Sequence, residues 1–358
     1  MTEQDFTPKS QTSNVESASV KWESPSNIAL VKYWGKRENQ IPENPSISFT
    51  LSNCKTITEL TYTKKEGTDF SFDVIFEGAK NAAFKPKIQI FFERVEGYLP
   101  FLRDYHFKIE TSNTFPHSSG IASSASGMAA IAMNVMSLEK EINSTMTDDY
   151  FHQKASFLAR LGSGSAARSI QGPVTFWGKN AVRDSSSDLF ATPFGTTLHS
   201  VFDNYQDTIL LVDKGSKPVS STQGHNLMHG HPFAENRFLQ ASNNLSALVP
   251  IMETGALDDF IHLVELEALS LHAMMLTSSP YFILMQPNTL AIIHRVWEFR
   301  KETSIPLCFT LDAGANVHLL YPKQDIGVIH SFIKEELSGF CQSGQYLLDE
   351  VGRGAKKA

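Results

Sequence analysis

The stretch that most constrains the fold runs from Thr114 to Ala130 and reads TFPHSSGIASSASGMAA, a Ser/Gly loop leading straight into small, helix-competent residues. Glycine lets backbone approach a ligand closely, and serine hydroxyls add donors. A helix beginning near Ser123 or Ser124 would aim its unpaired N–H groups and the positive end of its dipole at an anion, for which phosphate is the best fit. A flexible Ser/Gly linker is the competing reading. The continuation SGMAAIAMNVMSLEK argues against it, because a linker has no reason to lead into an apolar helix whose Ala and Gly residues permit close packing. The loop is not a Walker A motif: no Gly-x-x-x-x-Gly-Lys-Ser/Thr occurs, and no lysine closes the turn.

At 358 residues the chain exceeds what one hydrophobic core usually supports, so two domains are expected. A formal net charge of −7 and a pI near 5.9 argue against a nucleic-acid binder working through broad electrostatics. An anionic ligand must then be caught by local basic residues. Cys54, Cys308 and Cys341 are odd in number and unrelated in spacing, which fits a reducing compartment and a packing role. Residues 1–20 lack a basic and then apolar leader pattern, and no apolar run approaches the ~18 residues of a membrane span. The expectation is a cytoplasmic protein with no membrane partner.

Residues 1–20 are expected to be a flexible polar tail, 21–195 one domain and 196–358 a second, the break lying between about 180 and 205 where Ser185 to Pro193 interrupts the pattern. ITELTYT (57–63) and FSFDVIF (70–76) alternate like antiparallel strands, Lys85 to Leu102 carries helical spacing, and YHFKIET (105–111) is a strand. Asp148 is placed to cap a helix through Leu161. The second half alternates: a strand at 207–213, helices near 233–253, 256–276 and 287–303, strands at 308–314 and 316–321, a helix near 325–337 and a strand near 344–351. The class is α+β, with antiparallel sheets and helices laid on one face.

Four constellations carry candidate chemistry. In NIALVKYWGKR, Asn27 stands at the mouth of an apolar strand, and two lysines and an arginine flank Tyr33 and Trp34; the cluster can clamp a multiply charged anion or form a solvated hairpin edge. GSGSAARS brings Ser163 and Ser165 near Arg168, either to meet a carboxylate or phosphate or as an ordinary helix start. Its Gly-x-Gly-x-x-Ala is no dinucleotide fingerprint, because a helical segment precedes it where that motif needs a strand. In LDAGANV, Asp312 ends an apolar strand beside small residues, open to a substrate hydroxyl or simply starting a turn. His225, His229 and His231 have metal-like spacing, but no carboxylate or cysteine nearby completes a zinc set.

Taken together and in this order, NIALVKYWGKR with PENPSISFTL, FPHSSGIASSASG, ARLGSGSAARSIQGPV, VSSTQG, LSLHAMMLTSSP and LDAGANV resemble the diphosphomevalonate decarboxylase family of the GHMP small-molecule kinase superfamily. The resemblance spans nearly all of Ser24 to Tyr321. It implies a GHMP-kinase-like fold, with an N-terminal domain like ribosomal protein S5 domain 2, a ferredoxin-like C-terminal domain, an active site in the cleft between them, and a homodimer. It also implies Mg2+-ATP-dependent decarboxylation of mevalonate 5-diphosphate to isopentenyl diphosphate by way of 3-hydroxyl phosphorylation. Sister activities, a mevalonate 5-phosphate decarboxylase or a mevalonate 3-kinase, are the near alternatives; a catalytically silent ATP-binding protein is the distant one.

Carried over by motif, Ser119, Gly120, Ala122, Ser123 and Ser124 would hold the ATP phosphates, with Ser124 the candidate for reaching Mg2+. Asp312 would orient or deprotonate the 3-hydroxyl, Arg168 with Asn27 would hold the substrate carboxylate, and Lys36 would lie close to the chemistry. Tyr33, Lys36, Ser163, Ser165 and Ser221 would contact substrate phosphates or the reacting oxygen. Three departures stand out: Pro-His-Ser-Ser before the loop glycine where the family often has Pro-Thr-Ala-Ala, Gly224-His225 where it often has Gly-Met, and Ala315 where it has Pro. Thr222 also stands where some relatives carry an arginine.

Overall fold

The structure, a computed structural model, describes residues 1–8, 15–116, 121–215 and 219–358. The N-terminal unit contains β1 (Ser17–Val31), β2 (Ser46–Lys64), β3 (Ser71–Phe76), β4 (Ala79–Lys80), α1 (Lys85–Val95), β5 (Tyr105–Asn113), α2 (Ser123–Ile142), α3 (Asp148–Gly162), β6 (Val174–Trp177) and β7 (Thr192–Pro193). Next come β8 (Gln206–Leu210), α4 (Ser221–Asn226), α5 (Ala234–Thr254), α6 (Leu257–Leu276), α7 (Pro287–Thr303), β9 (Cys308–Leu311), β10 (Val317–Tyr321), α8 (Ile326–Phe332), β11 (Tyr346–Glu350) and β12 (Lys356–Lys357). The two-domain α+β expectation holds.

The first sheet runs β12-β1-β2-β5-β3-β4, with β6 and β7 branching from β2. β3 pairs β5 in parallel, not as the antiparallel strand its alternation suggests. The cause is the connection: α1 lies between them, and a helical crossover returns the chain in the same direction. Alternating apolar positions of β2 and β5, including Leu60, Tyr62, Phe107 and Ile109, bury against α1, α2 and α3. α1 stops at Val95, short of Leu102, because Pro100 starts a separate turn. Thr147, not Asp148, caps α3 by accepting the Tyr150 N–H at 3.3 Å. Asp148 sits in the first turn and pairs with Lys140.

The second sheet has the order β11-β8-β10-β9, all antiparallel. Numbered within the unit this is 4-1-3-2, the split βαβ arrangement of a ferredoxin-like domain. A core shared by both units joins them: Ile28, Leu30 and Phe49 from the first sheet pack in one cluster with Leu245, Leu248, Phe260 and Val264 from α5 and α6. Burial of that apolar surface fixes β1 against α6, and so fixes the floor of the cleft.

Two terminal segments depart from the expected domain limits. Glu3–Phe6 forms a short 3-10 turn rather than a loose tail, because Phe6 is fully buried, stacked on Phe157 at 4.4 Å between ring centroids. Residues beyond β11 return to the first sheet: Gly352 N–H donates to the Thr50 carbonyl at 2.8 Å, and β12 pairs with β1 at Trp22↔Lys357. Asp349 strengthens this junction by accepting the backbone N–H groups of Ser52, Asn53 and Cys54.

Candidate active site

A cavity of about 450 Å³ opens between the units, lined from the N-terminal side by the end of β1, the start of α2 and the turn after α3, and from the C-terminal side by Ser220 to Thr222, His225, Leu271 and Asp312. Each of its walls has a local cause. α2 begins at Ser123, as the Ser/Gly pattern predicts, and Ala122 before it is held left-handed at φ 46° with no side chain capping the helix. The first N–H groups of α2 therefore face outward with the positive dipole end, and the Ser123 and Ser124 side chains line the cavity beside them. Ser119 and Gly120 lie outside the described residues.

The turn Gly164–Ser169 delivers Ser163, Ser165 and Arg168 to the same space. Gly164 allows it, since a Cβ there would come within 2.7 Å of the Tyr33 hydroxyl oxygen and 2.9 Å of Trp177. Ser163 Oγ lies 3.1 Å from Ser124 Oγ, tying this turn to the helix start. Arg168 is buried, donating through Nε to Asn27 Oδ1 at 3.3 Å and through Nη1 to Ser46 Oγ. Among the described residues no carboxylate lies within ion-pair distance of its guanidinium. Burial lowers its pKa to about 10, with Asp312 and Tyr33 opposing the shift. A buried cation held only by neutral groups is costly, and it leaves room for an anion.

Asn27 meets Arg168, as the resemblance implies, from behind the cavity lining. It is buried outside the cavity lining, and its Nδ2 donates to the Ser165 carbonyl at 3.1 Å and to Ser169 Oγ at 2.8 Å. It holds Arg168 and its turn in place.

Asp312 opens the β9–β10 turn and reaches the cavity from the opposite unit. Its partner is Lys32, whose Nζ donates to Oδ1 at 3.0 Å. The Lys32 side chain is 2% exposed and that of Asp312 is 29% exposed. Burial lowers the Lys32 pKa against the pull of Asp312. The backbone of Lys32 is locked too: its N–H donates to Glu267 Oε2 at 2.9 Å, and Glu267 in turn pairs with Arg237. His272 Nε2 donates to the Asp312 carbonyl at 3.1 Å, which seats the turn on α6.

Sequence reasoning put Lys36, not Lys32, near the chemistry. Lys36 lines the cavity half-buried, but its Nζ donates to Gln40 Oε1 at 2.9 Å. Gly35, at φ 98°, turns the chain after β1, and Lys36 beyond it reaches Gln40 rather than Asp312. One signal could have found Lys32: it ends the apolar run NIALV, and a charge at the close of a buried strand needs a partner. Tyr33 and Ser221 line the cavity as expected, and the Tyr33 hydroxyl is buried without a hydrogen-bond partner among the described residues. Burial raises its pKa. Of the three histidines, His225 is turned into this cavity, and among the described residues no cluster of His, Cys, Asp or Glu is placed to hold a metal.

A second, smaller cavity of about 90 Å³ lies next to the α2 start, walled by Val74, Phe76, Phe84, Ile88, Met128 and Ile131. Gly127 borders it, and a Cβ there would meet nothing within 4 Å. An apolar slot, an open helix N-terminus and a cavity with buried cations thus follow one another along a single groove.

Such a groove, on an S5-like unit joined to a ferredoxin-like one, defines a GHMP-type phosphoryl-transfer protein. Two family models match the chain: the diphosphomevalonate decarboxylase-like N-terminal domain over residues 24–188 and the mevalonate 5-diphosphate decarboxylase C-terminal domain over 208–351. The chain belongs to the diphosphomevalonate decarboxylase family. It is 31% identical to the diphosphomevalonate decarboxylase of Gibberella zeae over 339 residues, 88% of this chain and 84% of that one. The mevalonate diphosphate decarboxylase of Staphylococcus aureus superposes with a TM-score of 0.82 at 27% identity, covering 96% of this chain and 98% of that one. The protein MDDEF, solved in complex with MVAPP, AMPPCP and magnesium, gives 0.80 at 27% identity, covering 96% of this chain and 99% of that one. No helix among the described residues is long and apolar enough to cross a membrane.

Proposed function

We propose that the chain catalyses the ATP-dependent decarboxylation of mevalonate 5-diphosphate to isopentenyl diphosphate in isoprenoid synthesis. The observation that carries this reading is Arg168, a buried guanidinium with no carboxylate partner among the described residues, opening onto the cavity that also holds Asp312. A kinase of a simple alcohol needs no such group; a reaction that must hold a substrate carboxylate does.

The residues fit Mg2+-ATP. The apolar slot beside Gly127 suits a planar base, the open start of α2 with Ser123 and Ser124 suits the phosphates, and the Ser124 hydroxyl can reach a phosphate-bound magnesium. Magnesium, when bound, neutralises charge on the phosphate oxygens. The chain's own residues do the rest. Asp312 accepts the proton of the 3-hydroxyl as that oxygen attacks the γ-phosphorus, and Lys32, fixed at 3.0 Å, keeps the carboxylate ionised and aimed. ADP leaves. The 3-phosphate then departs as the bond to the carboxylate breaks, and the electron pair of that bond becomes the new double bond of isopentenyl diphosphate as CO2 is released. Arg168, oriented by Asn27 and Ser46, holds the carboxylate in line with the departing phosphate. Tyr33, Lys36, Ser163, Ser165 and Ser221 face the 5-diphosphate.

The test follows ADP and CO2 separately from mevalonate, its 5-phosphate and its 5-diphosphate, with D312N assayed in parallel. The expected outcome is equimolar ADP and CO2 from the diphosphate, and a loss of about 1000-fold in kcat for D312N. CO2 from the monophosphate but not the diphosphate would replace the substrate, and ADP without CO2 would make the protein a kinase.

A further inference from the structure

His225 is the cavity residue that the reaction above leaves unused. It is 8% exposed, and its ring lies between Tyr33 and Trp34, with centroids 4.4 and 4.6 Å away. Gly224 makes this seat possible, since a Cβ there would lie 2.6 Å from the Trp34 ring. The backbone N–H of Gly35 donates to Nδ1 at 3.0 Å. Because that nitrogen accepts, the proton of the neutral ring sits on Nε2. Among the described residues nothing accepts from Nε2, and the ring lines the cavity beside Lys36 and Ser221. Burial, then Lys36 and Arg168, lower the His225 pKa to about 3, so the ring stays neutral at ordinary pH and is neither an acid nor a base there.

We propose that His225 is a specificity-determining residue of this cavity, its Nε2–H donating to a phosphoryl oxygen of the substrate's 5-diphosphate. The inference rests on the reading that this diphosphate lies against Lys36 and Ser221. The chemistry suits the place. An imidazole locked in one tautomer gives a directed hydrogen bond without adding a third positive charge beside Lys36 and Arg168, and two flanking rings keep it from swinging away.

Two variants separate ligand contact from packing. In H225N the side-chain oxygen can still accept the Gly35 N–H, but the side chain stops short of the Nε2 position; H225Q reaches it with an N–H donor. H225N should raise KM for mevalonate 5-diphosphate about 10-fold with kcat held within about 2-fold, and H225Q should recover most of the loss. Calorimetric affinity for inorganic pyrophosphate should fall by a similar factor in H225N, with both variants matching the wild-type thermal midpoint within a few degrees. Unchanged KM and pyrophosphate affinity in H225N would overturn the proposal. So would a defect that H225Q leaves in place, or a fall in kcat alone. If the wild-type protein fails to turn over the diphosphate, it is the substrate reading that fails, and pyrophosphate affinity then decides the role of His225 alone.

Discussion

Lys32 and Lys36 stand four residues apart in one motif and end in opposite surroundings. Lys32 is sealed at the close of β1, its side chain 2% exposed and tied to Asp312 from the other domain. Lys36, past the Gly35 turn, is half-buried beside Gln40 and His225. The first end is built by docking two domains through a shared apolar core, which sets charges at fixed distances before any ligand arrives. The second joins the Gly35 turn to α4 of the other domain, the Gly35 N–H donating to His225 at 3.0 Å, and presents donors that a multiply charged ligand can engage one at a time. The proposed function puts the chemistry at the first and substrate holding at the second.

The comparison breaks most visibly under matched lysine substitutions. K32M should lower kcat by about 100-fold or more, because Asp312 loses the cation that fixes it. K36M should leave kcat nearly intact and raise KM for the diphosphate by about 10-fold or more. Steady-state kinetics on the two variants checks this; the reverse pattern would exchange the roles of the two ends.

The smallest effect concerns stability in acid. Burial depresses the His225 pKa from its usual 6.5 to about 3, so between those pH values the folded chain binds fewer protons than the unfolded one. The stability contribution is complete above pH 6.5 and is lost as pH falls toward 3. The loss is at most about 1.4 kcal/mol per pH unit. Thermal midpoints between pH 7 and 4 should therefore fall less steeply for H225N than for the wild type, and parallel curves would refute a depressed pKa.

What could be read from the sequence follows the same division. The start of α2, the turn carrying Ser163 and Ser165, and Asp312 at a strand end are local features, each settled by neighbours within a few residues, and the structure has them where the pattern puts them. The partner of Asp312 was legible only as a charge closing a buried strand, because Lys32 and Asp312 are 280 positions apart and either lysine of the motif satisfies the chemistry. The pairing of Asn27 with Arg168 comes through the resemblance alone: from its own residues Asn27 reads as a polar group at a strand mouth, and its further partners Ser165 and Ser169 come from a distant turn. Phe6 was missed because one aromatic in a polar tail carries no periodicity, and only the Phe157 surface gives it a seat.

On the proposed function, Arg168 is kept as a buried cation with no carboxylate ion pair among the described residues because it holds the substrate carboxylate. CO2 release by R168Q at saturating ATP and mevalonate 5-diphosphate tests it most directly, with the thermal midpoint measured on the same sample. A loss of about 100-fold or more is expected with the midpoint held or raised, since the variant removes a buried charge that has no carboxylate ion pair among the described residues. CO2 release within a few-fold of the wild type would contradict it.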